Sequence, residues 1–184
     1  MGVVNPELAT LVPRRALPLA LCALAAVLIV LAGCGRSSAG PNDEGRVTKI
    51  TDGDTLRVQL NAGVEEKVRL IGIDTPEVHG AGGLRECFGK EASARLATLV
   101  PVGTVVRLVI DAEPRDRYGR LLAYVYRVSD DLFVNLDMAR SGHAAPLTIA
   151  PNVAFADEFV EAAADAREAD RGLWSVCGGP DVEI

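Results

Sequence analysis

The chain has 184 residues, 49% of them hydrophobic and 24% charged, with a formal charge of −6. That length suits one globular domain plus an appended segment, and needs no metal or disulfide to make a core possible. The acidity excludes a broad basic surface of the kind that holds duplex DNA without sequence preference, so any affinity for nucleic acid must come from a local cluster of arginines.

Residues Ala16 to Ala32 carry no charge and follow Arg14 and Arg15. The stretch is short for a spanning helix, which takes about 20 apolar residues, and has the layout of a secretory leader; an uncleaved signal anchor is the alternative. Its end, Leu31-Ala32-Gly33-Cys34, resembles the bacterial lipoprotein box. Residues 1–33 are therefore expected to be a leader and Cys34 to carry lipid whose acyl chains hold the protein to a membrane. Residues 34–44, rich in Gly, Ser and Pro, form the expected tether. Without residues 1–33 the chain has 17 basic and 24 acidic side chains, or −7. Exported and anchored to the outer face of the cell membrane is the expected location. Of four cysteines, Cys22 leaves with the leader and Cys34 is the anchor. Cys87 and Cys177 remain, expected to be bonded in an oxidising compartment, with two buried free thiols as the alternative.

The expected domain spans residues 45–177, with a tail over 178–184. Val47 to Leu60 holds two strand-like pieces around Asp52-Gly53-Asp54, and Leu56, Val58 and Leu60 alternate with polar residues. Asn61-Ala62-Gly63 is a second turn and Val68 to Ile73 a third strand. The stretch from Thr75 to Gly83 is loop-like. Lys90 to Val100 reads as a helix with Phe88, Ala92, Leu96 and Leu99 on one face. Thr104 to Asp111 and Leu121 to Val128 read as strands, with a charged turn from Glu113 to Gly119. Val134 to Arg140 is a short helix closed by Ser141-Gly142. Val153 to Arg171 is a longer one, striped by Phe155, Phe159, Ala162, Ala166 and Ala169 and capped by Gly172. The order is mainly β within an α+β class, with about three helices. It is compatible with a five-stranded Greek-key barrel of the OB type, and other α+β arrangements also satisfy the pattern.

Asp52, Asp54, Asp74 and Glu77 all fall at strand ends or tight turns, where hard oxygen donors suit Ca²⁺ or Mg²⁺ better than zinc. Arg69 stands in an apolar strand, where a charge needs a partner, and Asp74 or Glu77 could be a purely structural one. Arg69 and Arg120 could face one pocket, where two guanidinium groups would stabilise charge on a phosphoryl group. Alone, an Asp-Gly-Asp turn or a Tyr-Gly-Arg triplet is most often only a turn or a strand start.

In series, Asp52-Gly53-Asp54-Thr55, then Arg69-Leu70-Ile71-Gly72-Ile73-Asp74-Thr75-Pro76-Glu77, then Asp116-Arg117-Tyr118-Gly119-Arg120 with Leu122-Ala123-Tyr124, resemble the staphylococcal nuclease (thermonuclease) family. Phe88-Gly89-Lys90-Glu91-Ala92 and Gly172-Leu173-Trp174-Ser175 match as well, so the resemblance spans about Arg46 to Ser175. It implies an OB-fold barrel and Ca²⁺-dependent hydrolysis of DNA and RNA, single strands preferred, to 3′-phosphate products. By the same resemblance Asp54, Asp74 and the backbone carbonyl of Thr75 are calcium ligands, with Asp52 acting through water. Glu77 positions or deprotonates the attacking water, Arg69 and Arg120 bind phosphate, and Arg117 and Tyr118 touch the nucleotide. A monomer with no protein partner is expected.

Two features depart from the family. Its loop tyrosines have no counterpart in Gly142 to Pro151, where His143 is the one candidate substitute, a packing role being the alternative. The chain is also acidic where the type member is basic. The competing reading is a catalytically silent OB-fold lipoprotein that binds nucleic acid or protein.

Overall fold

A computed structural model describes residues 44–61, 63–78 and 85–182. The expected leader, Cys34 and nearly all of the tether lie outside the described residues, as do Ala62, residues 79–84 and the last two residues of the tail.

Three antiparallel strands come first, β1 (Glu44–Ile50), β2 (Thr55–Leu60) and β3 (Glu65–Leu70). Their alternation is the physical reason for the meander: Val47, Leu56, Val58, Val68 and Leu70 are buried while Arg46, Arg57 and Lys67 are exposed, so each strand has one inner face. Next come α1 (Gly89–Leu99), β5 (Val105–Val109) and β6 (Leu121–Arg127). β5 pairs with β1, and β6 pairs with β5 on one side and, in parallel, with β3 on the other. The five strands β1, β2, β3, β6 and β5 thus close into a mixed barrel, which leaves no open edge among them. The short β7 (Leu132–Phe133) adds to β6. The expected α+β, mainly β, OB-type barrel is the observed architecture.

The third strand differs from expectation. It stops at Leu70, and a separate strand β4 (Gly72–Asp74) pairs with β8 (Ala145–Leu147) in a two-stranded ribbon. Gly72 makes the break, with φ of 85°, and a Cβ there would overlap the ring of Phe159; only glycine meets both conditions cheaply.

Helix α1 runs as its pattern dictates, with Ala92, Leu96 and Leu99 buried. Helix α2 (Val134–Arg140) occupies the expected residues. The long helix is shorter than expected: α3 is Ala156–Glu168, and Ala163 rather than Ala169 completes its buried face. Its start is delayed because Asp111 accepts a hydrogen bond from the Ala154 backbone at 3.1 Å, tying that stretch to the end of β5. Gly172 caps no long helix; it precedes a single extra turn, α4 (Leu173–Val176), which makes four helices among the described residues. Tyr124 of β6 packs edge-on to Phe133 and Phe155, with Phe159 stacked at 6.2 Å, and this aromatic cluster joins α3 to the barrel. A disulfide links Cys87 to Cys177, Cα atoms 5.9 Å apart, tying the start of α1 to the end of α4.

Candidate active site

The turn between β1 and β2 carries Asp52 and Asp54. Thr51 and Asp52 both donate backbone N–H groups to the Thr55 carbonyl, at 2.9 and 3.0 Å. The turn closes against Thr75, since a Cβ on Gly53 would meet Thr75 Oγ1 and Ala92 Cβ. Asp52 Oδ1 accepts from Gly53 N at 2.9 Å and from Ser93 Oγ of α1 at 3.3 Å. Asp54 is 1% exposed, and its Oδ1 accepts from Thr55 Oγ1 at 2.8 Å.

Arg69 of β3 stands opposite Thr55. Its guanidinium bridges two acids: Nη1 donates to Asp54 Oδ2, while Nη2 donates to Asp74 Oδ1 at 2.6 Å and to the Ile73 carbonyl at 3.2 Å. The carboxylates expected to share one ion are therefore gathered around one guanidinium. Burial works against the charge on Arg69, but Asp54 and Asp74 outweigh it and hold the group protonated. Burial pushes the Asp54 carboxyl above its usual range, Arg69 opposes this, and repulsion from Asp74 and Asp52 adds to it. Glu77 is pushed up to about 8 by burial and then by its contact with Asp52, with Asp54 adding and Arg69 opposing. One cation among these four acids leaves a surplus of negative charge.

That surplus is what a hard divalent cation would relieve. Thr75, buried beside the turn, adds a side-chain oxygen, Oγ1, with no hydrogen-bond partner among the described residues. Among the described residues no group of three or more His, Cys, Asp or Glu side chains is arranged as a ready metal cage. Two carboxylates, Asp54 and Asp74, and the oxygens of Thr75 could serve as donors, a chemistry suited to a weakly held Ca²⁺ or Mg²⁺ rather than to a zinc centre.

The second arginine is fixed from another loop. Asp116 Oδ1 accepts from the backbones of Tyr118 and Arg120, both at 2.9 Å, and its Oδ2 accepts from Arg120 Nε at 2.5 Å. Asp116 thus shapes the turn and orients the guanidinium in one step. Tyr118 is 69% exposed, with Arg117 at 4.8 Å and Arg120 at 5.6 Å from its ring centre. A cavity of about 580 Å³ gathers Arg69, Asp74, Glu77, Arg117, Tyr118 and Arg120 on its walls. Asp52 and Asp54 are not among its lining residues; Asp54 meets it through Arg69 and Asp52 through Glu77.

Several further residues shape the site. Asp116 belongs to the third motif, where an Asp two residues before a Tyr-Gly turn is the signal of an Asx turn. Buried Asn135 of α2 donates to the carbonyls of Ile71 at 2.9 Å and Ala123 at 3.2 Å and accepts from Val125 N at 2.9 Å. It thereby locks the break after β3, and with it the position of Asp74, to β6. Glu86 accepts from the Glu77 backbone at 2.8 Å. Leu147 and Ile149 line the cavity in the loop that lacks tyrosines. His143 is not among the cavity's lining residues; its ring packs on Phe88 at 5.2 Å and Nδ1 meets Ser141 Oγ at 2.9 Å.

With this geometry in place, comparison with known proteins is direct. A family model described as staphylococcal nuclease homologue matches residues 67–176. An uncharacterized protein of Bacillus anthracis is 39% identical over 140 residues, 75% of this chain and 64% of its own. The thermonuclease of Staphylococcus intermedius is 35% identical over 128 residues, 70% of this chain and 74% of its own. Endonuclease YhcR of Bacillus subtilis is 32% identical over 145 residues, 75% of this chain but 12% of its own length. The chain thus spans less than two thirds of the first and a small part of the third.

Proposed function

The chain belongs to the staphylococcal nuclease family, and from that premise we propose that it is a nuclease: a Ca²⁺-dependent phosphodiesterase that cleaves DNA and RNA, single strands preferentially, to 3′-phosphate ends. The observation that carries this reading is the Arg69 guanidinium held between Asp54 and Asp74 on a cavity that Glu77 and Arg120 also line.

Asp54, Asp74 and the Thr75 carbonyl would hold the ion, with Asp52 beyond them through water. When bound, the ion neutralises phosphate charge and lowers the pKa of nearby water. The remaining work falls to the chain's own side chains. Glu77 takes a proton from the attacking water, for which a raised pKa near the working pH is suited. The water oxygen attacks phosphorus, the bond to the 5′-oxygen breaks, that oxygen leaves as a 5′-hydroxyl after taking a proton from solvent, and the phosphate stays on the 3′ side. Arg69 and Arg120 present planar forks to the oxygens that gain charge at the five-coordinate stage. Arg117 and Tyr118 sit where a nucleoside next to that phosphate would lie. Leu147 and Ile149 offer it an apolar wall in place of tyrosine rings.

We further propose export with lipid on Cys34, which would place the enzyme at the outer membrane face, where scavenging nutrient or clearing foreign DNA is the role it suits. Radiolabelled palmitate should then enter the wild-type protein and not Cys34→Ala, and incorporation into both would refute the anchor. The activity is tested by incubating the protein with single-stranded DNA and calcium. Fragments that polynucleotide kinase lacking phosphatase activity can extend with a 5′-phosphate, but that polymerase cannot extend at the 3′ end, are expected. Fragments with free 3′-hydroxyls would refute the proposed bond cleavage.

A further inference from the structure

The outer faces of three strands, β3, β2 and β1, carry a row of cations that leads away from Arg120 of the candidate site. The parallel pairing of β3 with β6 sets Val68 beside Leu121, and one step earlier on the two segments stand Lys67 and Arg120, the latter just ahead of β6. Lys67 in turn stands opposite Arg57, and Arg57 opposite Lys49. Val68 and Leu56 point into the core, so alternation turns Lys67 and Arg57 outward. A bulge at Thr48 brings Lys49 to the same side. Lys49, Arg57 and Lys67 are all exposed. At about 4.8 Å per strand the row runs roughly 14 Å from Arg120 to Lys49, and Arg69 lies two residues, roughly 6.6 Å, beyond Lys67 on the same face.

Like charges set directly opposite one another in a sheet are destabilising. Among the described residues two acids offset the row: Glu65 bonds Arg57 at 2.9 Å, takes Thr48 Oγ1 at 2.7 Å and also attracts Lys49, and Asp116 holds Arg120. Two acids against Lys49, Arg57, Lys67 and Arg120 leave an excess of positive charge in a chain of −6. The row is one side chain wide and continuous with both site arginines, a shape that fits a single line of phosphates rather than a flat sheet of lipid headgroups.

We infer that Lys67, Arg57 and Lys49 form a track for the phosphates of a single-stranded nucleic acid, carrying the strand from the cavity across β3, β2 and β1. The track rests on the nuclease reading, and it supplies the local attraction that an acidic protein otherwise lacks.

The test compares full-length wild type with K49Q/R57Q/K67Q. It reads kcat/KM on a labelled strand of roughly 20 nucleotides and on a dinucleotide too short to span from the cavity to Arg57 and Lys49, together with anisotropy of the same labelled strand. The long-to-short ratio should fall about tenfold at low salt. The slope of log K against log salt should flatten by about 2, the loss of three phosphate contacts. Glu65→Gln, which frees Arg57, should raise the ratio. A triple variant that keeps the wild-type ratio, slope and anisotropy overturns the track. So does one that loses only its binding to phosphatidylglycerol vesicles, which would assign the row to a membrane. If wild type hydrolyses neither substrate the nuclease reading falls, while anisotropy still decides the track.

Discussion

The carboxyl of Glu77 lies within hydrogen-bonding reach of the carboxyl of Asp52, and the two cannot both be charged without cost. This contact, with burial, lifts Glu77 to about 8 from an ordinary 4.5. The folded protein therefore favours the protonated acid. Its contribution to stability is complete below about pH 4.5 and lost as pH rises through about 8. In chelator, the melting temperature of wild type should fall between pH 5 and pH 9, and Glu77→Gln should flatten that fall. Parallel curves for the two proteins would show that Glu77 is not the group responsible.

Arg69 has two separable duties. As a cation it neutralises buried Asp54; as a planar fork it also reaches Asp74. Arg69→Lys keeps the charge and loses the fork. Its hydrolysis rate should drop by about 10³–10⁵ while its melting temperature changes modestly. Arg69→Ala should in addition destabilise by about 3–5 kcal/mol, since it strands a buried carboxylate. Denaturant unfolding of both variants beside their rates checks the distinction, and equal stability losses would contradict it.

Asn135 should matter to stability and to the site together. Asn135→Ala leaves the Ile71 and Ala123 carbonyls and the Val125 N–H without their side-chain partner, at about 1–3 kcal/mol for a stranded buried group. The break between β3 and β4 loosens with it, so the hydrolysis rate should fall together with the unfolding free energy, and a destabilised variant with full activity would contradict the link. Asn135→Asp keeps the acceptor for Val125 but sets a carboxylate against the Ile71 and Ala123 carbonyls, so denaturant unfolding should find it at least as destabilised as Asn135→Ala.

The Cys87–Cys177 bond closes a separation of 90 residues. Reduction should cost about 2–5 kcal/mol of unfolding free energy. Denaturant melts with and without reductant measure it, and a pair of free thiols in the purified protein, titrated under denaturing conditions, would refute the bond.

The barrel strands were legible because Leu56, Val58, Val68, Val106 and Leu108 alternate with polar neighbours, and a half-buried strand has no other way to be written. The candidate acids stand out in the sequence because they cluster at turns in a fixed order, and the structure brings Asp54 and Asp74 to one guanidinium. The β4–β8 ribbon was not: β4 is three residues long and β8 contains Pro146, so neither has a period to detect. The start of α3 was set too early because Val153 to Phe155 continue its apolar stripe, while contacts with Asp111 and Glu113 hold that stretch out of the helix. The cationic row escaped notice for a different reason. Lys49, Arg57 and Lys67 are unremarkable singly, and only strand register sets them side by side.

A calcium titration of single-stranded DNA hydrolysis by the full chain decides whether this is a calcium-dependent nuclease. No cleavage is expected in chelator, with activity that returns as calcium passes through about 10⁻⁴–10⁻³ M and a response that is lost in Asp54→Asn. Cleavage that persists in chelator, or a calcium response left intact by Asp54→Asn, would contradict it.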